Sequence, residues 1–303
     1  MTENASARAF GPSAPYRRRA AHAGRVRVSL GTVGLGIRFL ILAVFAAFFI
    51  VPIIWLVLAT TKSGRALEFA SPLSFGSFNQ LASNWNIVVR FDGDIFRTWM
   101  ANSLLYVLGA TAIVVATAVP AGYGLALWRF PGRKLVLWLT LMMMIMPSGA
   151  LVIPIFLELN AVHLIGNPLS MILAFAFYPF GVYLAYLYFA TTIPRDLIDA
   201  ARIDGGGELQ IFLRVVLPLC RPIVALIFFF NFVADWNNFF LPFVVLPNSQ
   251  AFSIQPGLQL LLSNLPQPAL ALAILLSIVP VLLVFLFSQR FLVRGVVQGA
   301  ATG

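Results

Sequence analysis

Charged residues and cysteine are both scarce in this sequence of 303 residues. Asp, Glu, Lys and Arg make up 10% of the chain and apolar residues 60%, whereas a soluble domain has about 25% charged and about 45–50% apolar residues. The single cysteine, Cys220, excludes an internal disulfide. The two histidines, His22 and His163, lie far apart in sequence, so no histidine metal cluster is predicted. The composition therefore excludes an ordinary soluble domain and indicates a protein of the lipid bilayer.

Six apolar runs are long enough to cross the hydrocarbon core, which needs about 20 helical residues. They cover residues 39–60, 101–128, 135–157, 168–190, 219–245 and 269–287. The first run is too long for the apolar part of a cleavable signal peptide, so it is expected to remain as an anchor. We predict an all-α membrane protein with six transmembrane helices in residues 39–291, a disordered basic tail in 1–38 and a second tail in 292–303.

The net charge of +10 is unevenly placed. With six spans, both termini share one side of the membrane, and 16 of the 20 Lys and Arg residues fall on that side. The other side holds Lys62, Arg65, Arg90 and Arg97. Because basic residues are enriched in cytoplasmic segments, both termini are predicted to be cytoplasmic. This placement explains the charge without a nucleic-acid partner, while the N-terminal tail can also contact lipid headgroups.

Polar residues interrupt the fifth apolar run. A carboxylate near mid-membrane costs about 2.5–3.5 kcal/mol on insertion scales, so such residues usually face a protein interior or a water-filled cavity. Two interpretations remain open: these side chains line a substrate path, or they lock neighbouring helices together. Together with two polar residues of the second run, the candidates for the path are Asn102, Tyr106, Asn231, Asp235, Asn237 and Asn238.

The loop between the fourth and fifth runs, residues 191–218, has the pattern of a helix, a turn and a second helix. Thr192 can cap the first helix, Pro194 suits its first turn, and Asp196 suits the positive end of its dipole. The glycines at 205–207 predict its end, because glycine readily adopts the left-handed conformation of a C-terminal cap. A second helix is predicted over 208–216. By the charge argument, this loop is cytoplasmic.

The same loop resembles the characteristic cytoplasmic loop of binding-protein-dependent ABC importer permeases, EAAxxDGA followed by a hydrophobic segment and LPxxxP. Asp199 stands in place of the usual glutamate and Gly206 in place of an alanine. The matching residues are Asp199, Ala200, Ala201, Asp204, Gly205, Leu217, Pro218 and Pro222.

Further stretches extend the resemblance from residue 39 onward to the second permease of carbohydrate-uptake importers, such as those for maltose, trehalose and glycerol-3-phosphate. They are NSL at 102–104, FPGRK at 130–134, WNNFFLP at 236–242 and QRFLVRGVVQGA at 289–300. Ala301 and Thr302 depart from the family's usual C-terminal ending.

The resemblance implies a permease of a prokaryotic inner or plasma membrane, without enzymatic activity, that imports a sugar or related polyol. Its implied partners are a second homologous permease, two cytoplasmic ATPase subunits or one homodimer, and an extracytoplasmic substrate-binding protein or lipoprotein. The chain would bind no cofactor, with ATP and Mg on the ATPase. A coupling helix at 195–206 would contact that ATPase through Arg195, Asp196, Asp199, Ala200, Ala201, Asp204, Gly205 and Gly206.

Two other classes remain as alternatives. An ion-driven secondary transporter often has inverted repeats and several intramembrane charges, but no convincing repeat is found and only Asp235 lies well inside a run. A membrane-embedded enzyme needs at least two reactive groups at one depth, and the sequence offers Asp235 no acidic or histidine partner. The absence of a GxxxxGK[ST] phosphate loop means that no ATP site of that kind is present in the chain.

Overall fold

The computed structural model describes the backbone of residues 24–300 and the side chains of residues 35–291. Within these ranges the chain is helical and has no strands. The first eight helices are α1 (Gly24–Ala59), α2 (Gly64–Phe69), α3 (Phe78–Val89), α4 (Ile95–Leu127), α5 (Arg133–Ile145), α6 (Val152–Ala161), α7 (Pro168–Phe175) and α8 (Pro179–Thr192). The remaining helices are α9 (Arg195–Ile203), α10 (Glu208–Ile211), α11 (Leu217–Leu219), α12 (Arg221–Trp236), α13 (Phe240–Val245), α14 (Ile254–Asn264) and α15 (Gln267–Ala300).

The first helix forms a separate compact unit up to Ile54, and the chain from Trp55 onward forms a second. Side chains from Leu35 to Ile54 are all exposed, as expected of an apolar helix surrounded by lipid. The helix begins at Gly24 and so includes residues 24–38 of the predicted basic tail, while residues 1–23 lie outside the described part of the chain. The helical backbone satisfies its own hydrogen bonds, and Pro52 is the only proline inside it.

Four stretches are long and apolar enough to cross a membrane: 35–59, 95–127, 168–192 and 267–291. Two further pairs of helical stretches pass the same test only together, 133–145 with 148–161, bent by 100°, and 208–219 with 221–236, bent by 75°. The all-α membrane fold is therefore confirmed, with four candidate spans, or up to six if each bent pair is one span. The predicted runs at 135–157 and 219–245 are both interrupted, the first between α5 and α6 and the second where α12 ends at Trp236.

Local chemistry explains both interruptions. Pro147 lacks an N–H and disfavours the α conformation at Met146, where α5 ends. In the other run α12 ends at Trp236, and Asn238 then accepts a hydrogen bond from the Leu241 N–H at 3.3 Å, which starts α13. At the C-terminus α15 continues to Ala300, so residues 292–300 extend the last helix instead of forming a separate tail.

Helix α4 occupies the centre of the second unit and packs against α7, α8 and α12. A Cβ at Gly122 would overlap Ala185 of α8, so glycine is what permits this close approach. One apolar cluster surrounds the first half of α4 and includes Trp99 and Tyr106. A second cluster surrounds the other half and includes Tyr123. Small residues such as Gly122 thus permit the central position of α4.

The segment between α1 and α4 is ordered by buried polar contacts. Lys62 is 1% exposed, and its Nζ donates to the carbonyl oxygens of Ser71 at 2.7 Å and Pro72 at 3.1 Å. Asn84 on α3 donates to the carbonyls of Thr60 and Lys62. These bonds hold the two short helices α2 and α3 in place.

Candidate functional site

Helix α9 is a short, sharply bounded element. It begins after Pro194, and Thr192 is the last residue of α8, so the predicted capping role of Thr192 is wrong. At its other end Gly205 has a φ of +82°, which few other residues adopt without strain. The Gly206 N–H donates to the Ala201 carbonyl at 3.0 Å, which completes the cap. The glycine stop at 205–207 is thus confirmed.

One side of α9 is anchored and the other is open. Ile198 is 2% exposed and packs in the same apolar cluster as Ile193 and Ile211. Ala201 and Gly206 are partly buried. The remaining predicted coupling residues are exposed: Arg195, Asp196, Asp199, Ala200, Asp204 and Gly205. The structure therefore brings all eight predicted residues together on one helix and its turn, with a free face that can receive a partner.

Charged side chains join α9 to two other elements. Arg202 donates from Nη1 to Asp199 Oδ1 at 2.9 Å and from Nε to Glu208 Oε1 at 2.7 Å. Trp128, directly after α4, donates from Nε1 to Glu208 Oε2 at 3.2 Å. The bond to Glu208 is the main reason that the pKa of Arg202 lies above its ordinary value. The carboxylate of Asp199 thus has a partner within the chain, whereas the resemblance implied donors from an ATPase.

Sequence reasoning missed Trp128 and Glu208 and gave Arg202 no role. The contact of Arg202 with Asp199 has a local signal, since residues three apart share a helix face. Trp128 and Glu208 are 80 positions apart, and no pattern in the sequence relates them. A groove of about 650 Å³ opens beside these side chains, and Arg129 and Arg195 also line it.

The second helix of the predicted pair is confirmed in position but differs in form. It runs as α10, a π-helical turn at Phe212–Val216 and then α11. Pro218 lies in α11 and supplies no N–H to the turn before it. The wider π turn is a known accommodation of such breaks in the regular hydrogen-bond ladder.

At the other end of α12, Asn231 is fully buried and Asp235 is partly buried. The Asn231 Nδ2 donates to Asp235 Oδ2 at 2.7 Å and to Thr111 Oγ1 of α4 at 3.0 Å. The Asn231 Oδ1 has no hydrogen-bond partner among the described residues. Asn231 therefore joins α12 to α4, which matches the interpretation that polar residues lock neighbouring helices.

A cavity of about 430 Å³ lies beside this pair, where three helix interruptions meet. They are the breaks between α5 and α6, between α7 and α8, and between α12 and α13. Asp235, Asn237 and Asn238 line the cavity, together with Ser148 and Tyr178, which sequence reasoning missed. The prolines next to them in sequence, Pro147 and Pro179, were the signals that could have identified Ser148 and Tyr178. These three polar residues of α12 and its end thus match the interpretation of a path lining.

Asn102 and Tyr106 are not among the residues that line this cavity. The Asn102 Nδ2 donates to the carbonyls of Gln250 at 2.8 Å and Phe252 at 3.2 Å. The Tyr106 hydroxyl donates to the carbonyl of Ala251 at 2.9 Å. Both side chains hold the segment before α14 against α4, so the structure separates them from the other four candidates.

No group of three or more His, Cys, Asp or Glu side chains that could hold a metal ion occurs in the part of the chain with described side chains.

A family model of the binding-protein-dependent transport system inner membrane component matches residues 118–298. The chain belongs to this family.

Individual proteins show the same relationship over most of the chain. The arabinooligosaccharides transport system permease protein AraQ of Bacillus subtilis is 33% identical over 213 residues, which cover 70% of this chain and 75% of AraQ. The diacetylchitobiose uptake system permease protein NgcG of Streptomyces coelicolor is 30% identical over 268 residues, 86% of each chain. A chain from the crystal structure of a bacterial ABC transporter involved in alginate import is 25% identical with a TM-score of 0.71, and the match covers 90% of this chain and 99% of that one.

This binding-protein-dependent permease is a transport subunit rather than an enzyme, and it is a multi-pass protein of the membrane. Membership of the family also means that it works with other permease, ATPase and binding-protein components. These conclusions remove the secondary transporter and the membrane enzyme as interpretations of the sequence.

Proposed function

We propose that this chain is one of two permease subunits in an ATP-driven importer for an oligosaccharide or a related polyol. The names of the similar proteins support a carbohydrate substrate: they transport arabinooligosaccharides and diacetylchitobiose, and the solved relative belongs to an importer of alginate. The observation that carries the proposed coupling is the free face of α9 on a firmly anchored helix.

The topology follows from the charge distribution. Both termini and α9 lie in the cytoplasm, because 16 of the 20 Lys and Arg residues are on that side. The segment holding α2 and α3 then faces outward and offers a surface for a substrate-binding protein. The partners are a second permease and two ATPase subunits. The ATPase subunits bind ATP and Mg, because this chain has no phosphate loop for them.

Helix α9 can act as a rigid lever. Pro194 fixes its start, and Gly205 and Gly206 fix its end through backbone hydrogen bonds. Ile198 anchors it to the rest of the chain, so a force applied to its exposed face moves the whole helix. Asp196 and Asp199 on that face can accept charge-assisted hydrogen bonds from an ATPase. Closure of two ATPase subunits on ATP would then displace α9 and alter access to the cavity beside Asp235.

Charge reversal of Asp199 tests this role. The Asp199→Lys permease, assembled with its second permease and ATPase in proteoliposomes, should lose most ATP-dependent uptake of radiolabelled oligosaccharide, because a cation replaces the acceptor on the docking face. The remaining ATP hydrolysis should either continue without uptake or fall as the complex dissociates. Glu158→Lys, an exposed acid on α6, is the matched control. Unchanged uptake in Asp199→Lys would remove α9 from the coupling mechanism.

A panel of sugars tests the substrate class. Arabino-oligosaccharides, diacetylchitobiose and maltodextrins should be offered to the complex with its cognate binding protein, with an amino acid and an inorganic ion as comparisons. Uptake of a carbohydrate alone supports the proposal. Preferential uptake of the amino acid or the ion contradicts it.

A further inference from the structure

The contacts of Trp128, Arg202 and Glu208 connect three elements at one point. Trp128 follows the last residue of α4, Arg202 is in the last turn of α9, and Glu208 is the first residue of α10. Glu208 uses both carboxylate oxygens, one for Arg202 at 2.7 Å and one for the Trp128 indole N–H at 3.2 Å. The carboxylate is therefore the bridge between α9 and α4.

The position of the Trp128 ring depends on Gly124. A Cβ at Gly124 would lie 3.3 Å from the Trp128 ring, closer than an ordinary contact. Glycine one turn before the end of α4 thus lets the indole fold back along the helix. In this position Trp128 also packs edge to face with Tyr123, with the ring centroids 6.0 Å apart.

These polar contacts are separate from those that end α9. The backbone bonds of Asp204, Gly205 and Gly206 to the carbonyls of Ala200, Arg202 and Ala201 already close the helix. The side chains of Arg202 and Glu208 add nothing to that cap. Arg202 instead donates to Glu208, and Glu208 accepts from Trp128 at the end of α4, so this chain of contacts bears on the relative position of α9 and α4.

Aromatic contacts at the same end of α4 lie near the polar bridge. Tyr123 on α4 packs against Phe189 of α8 and Phe212 of the π turn, with ring centroids 5.5 Å and 5.1 Å apart. Farther along α4, Thr111 accepts the hydrogen bond from Asn231, the neighbour of Asp235. Helix α4 therefore links the region of α9 to the polar cavity.

We propose that Trp128, Arg202 and Glu208 form a latch that fixes α9 to the end of α4, so that α4 follows when α9 is displaced. These three are positioning residues, and none of them lines the cavity beside Asp235. The latch rests on the proposed role of α9 as the ATPase-coupling element. It assigns to α4 the transmission of that movement towards the Asp235 cavity.

The test measures uptake per ATP hydrolysed in proteoliposomes containing the complete complex. Trp128→Phe removes only the indole N–H and keeps an aromatic ring, and Glu208→Leu removes both bonds of the carboxylate. Each variant should retain ATP hydrolysis and lower uptake per ATP by about two- to fivefold, the range expected of half-exposed contacts of this kind. The control variants are Trp138→Phe, at an exposed position on α5, and Glu158→Leu on α6.

Combining the variants distinguishes a latch from two independent structural effects. Because Trp128 acts through Glu208, Trp128→Phe should cause no further loss in a Glu208→Leu background. Additive losses, or an unchanged ratio in Trp128→Phe, would overturn the latch. If Glu208→Leu fails to assemble, Glu208→Ala takes its place in the same comparison, since alanine also removes both acceptor oxygens.

The result is also separable from the proposed function. If Asp199→Lys abolishes uptake while Trp128→Phe and Glu208→Leu leave the ratio unchanged, α9 couples to the ATPase and only the latch is wrong. If Asp199→Lys has no effect, the coupling role of α9 fails first.

Discussion

The two ends of α4 are held by different kinds of contact. Near its start, Trp99, Asn102 and Tyr106 each donate a side-chain hydrogen bond to backbone carbonyls of residues 249–252. Just past its end, Trp128 bonds to the carboxylate of Glu208, which is 45% exposed and also holds Arg202. The first set is largely buried and directed at fixed backbone atoms, while the second is exposed and made between side chains.

This difference separates the start of α4, whose contacts are fixed, from its end, whose side-chain hydrogen bonds can exchange partners. Buried hydrogen bonds to the backbone are costly to break, because leaving a polar group unpaired in the interior lowers the stability by about 1–3 kcal/mol. Exposed contacts between charged side chains contribute about 0–1 kcal/mol each. We infer that the start of α4 serves as the fixed reference of the bundle, whereas its end can transmit the displacement of α9.

The largest effect is expected from Trp99, which is fully buried at the fixed end. Trp99→Ala should lower the free energy of unfolding by about 3–5 kcal/mol, because it leaves a cavity and removes the bond to Ser249. Thermal unfolding of the purified complex in detergent measures this loss. Trp138→Ala, at a site 62% exposed on α5, is the control, and equal losses in the two variants would contradict the comparison.

The sequence predicted features that depend on neighbouring residues. The stop of α9 follows from three consecutive glycines, since their conformational freedom is a local steric property. The interruption at Pro147 had a local signal as well, the proline itself, but no sequence pattern indicated the 100° size of the bend.

Long-range contacts could not be predicted in this way. Asn102 and Tyr106 were grouped with Asp235 because all are polar residues in apolar runs. Their partners lie about 150 positions later, at Gln250 and Ala251, in a segment whose folding back onto α4 has no sequence pattern. The bond between Trp128 and Glu208 was missed for the same reason. Polarity in a membrane run indicates a buried partner, but it does not say which one.

A second prediction concerns Asp235, which accepts a hydrogen bond from Asn231. Asn231 also donates to Thr111, which lies between the two ends of α4. Asp235→Asn keeps the shape of the side chain and an acceptor for Asn231, but replaces the carboxyl group with an amide. If Asp235 contacts sugar hydroxyls, uptake should fall about two- to tenfold, since a hydrogen bond contributes about 0.5–1.5 kcal/mol. Initial uptake rates at matched protein levels measure this effect.

Stability distinguishes the two roles of this polar pair. A path lining predicts lower uptake with unchanged thermal unfolding, whereas a helix lock predicts the reverse. Thr140→Val on α5, whose hydroxyl bonds only to its own helix at Val136, is the control for removing a polar atom from the bundle. Normal uptake in Asp235→Asn would exclude the carboxyl group of Asp235 from the path.

The smallest effect is expected from Tyr106→Phe, which sharpens the comparison because it removes one hydroxyl from the fixed end. The variant keeps the ring in the apolar cluster and loses only the bond to the Ala251 carbonyl at 2.9 Å. The free energy of unfolding should fall by about 0.5–1.5 kcal/mol, the net value of one hydrogen bond. Uptake per ATP should stay the same, because the bond anchors residues 249–252 and takes no part in moving α9. A lower ratio with normal stability would place Tyr106 in the moving part, and the two ends of α4 would then no longer differ in function.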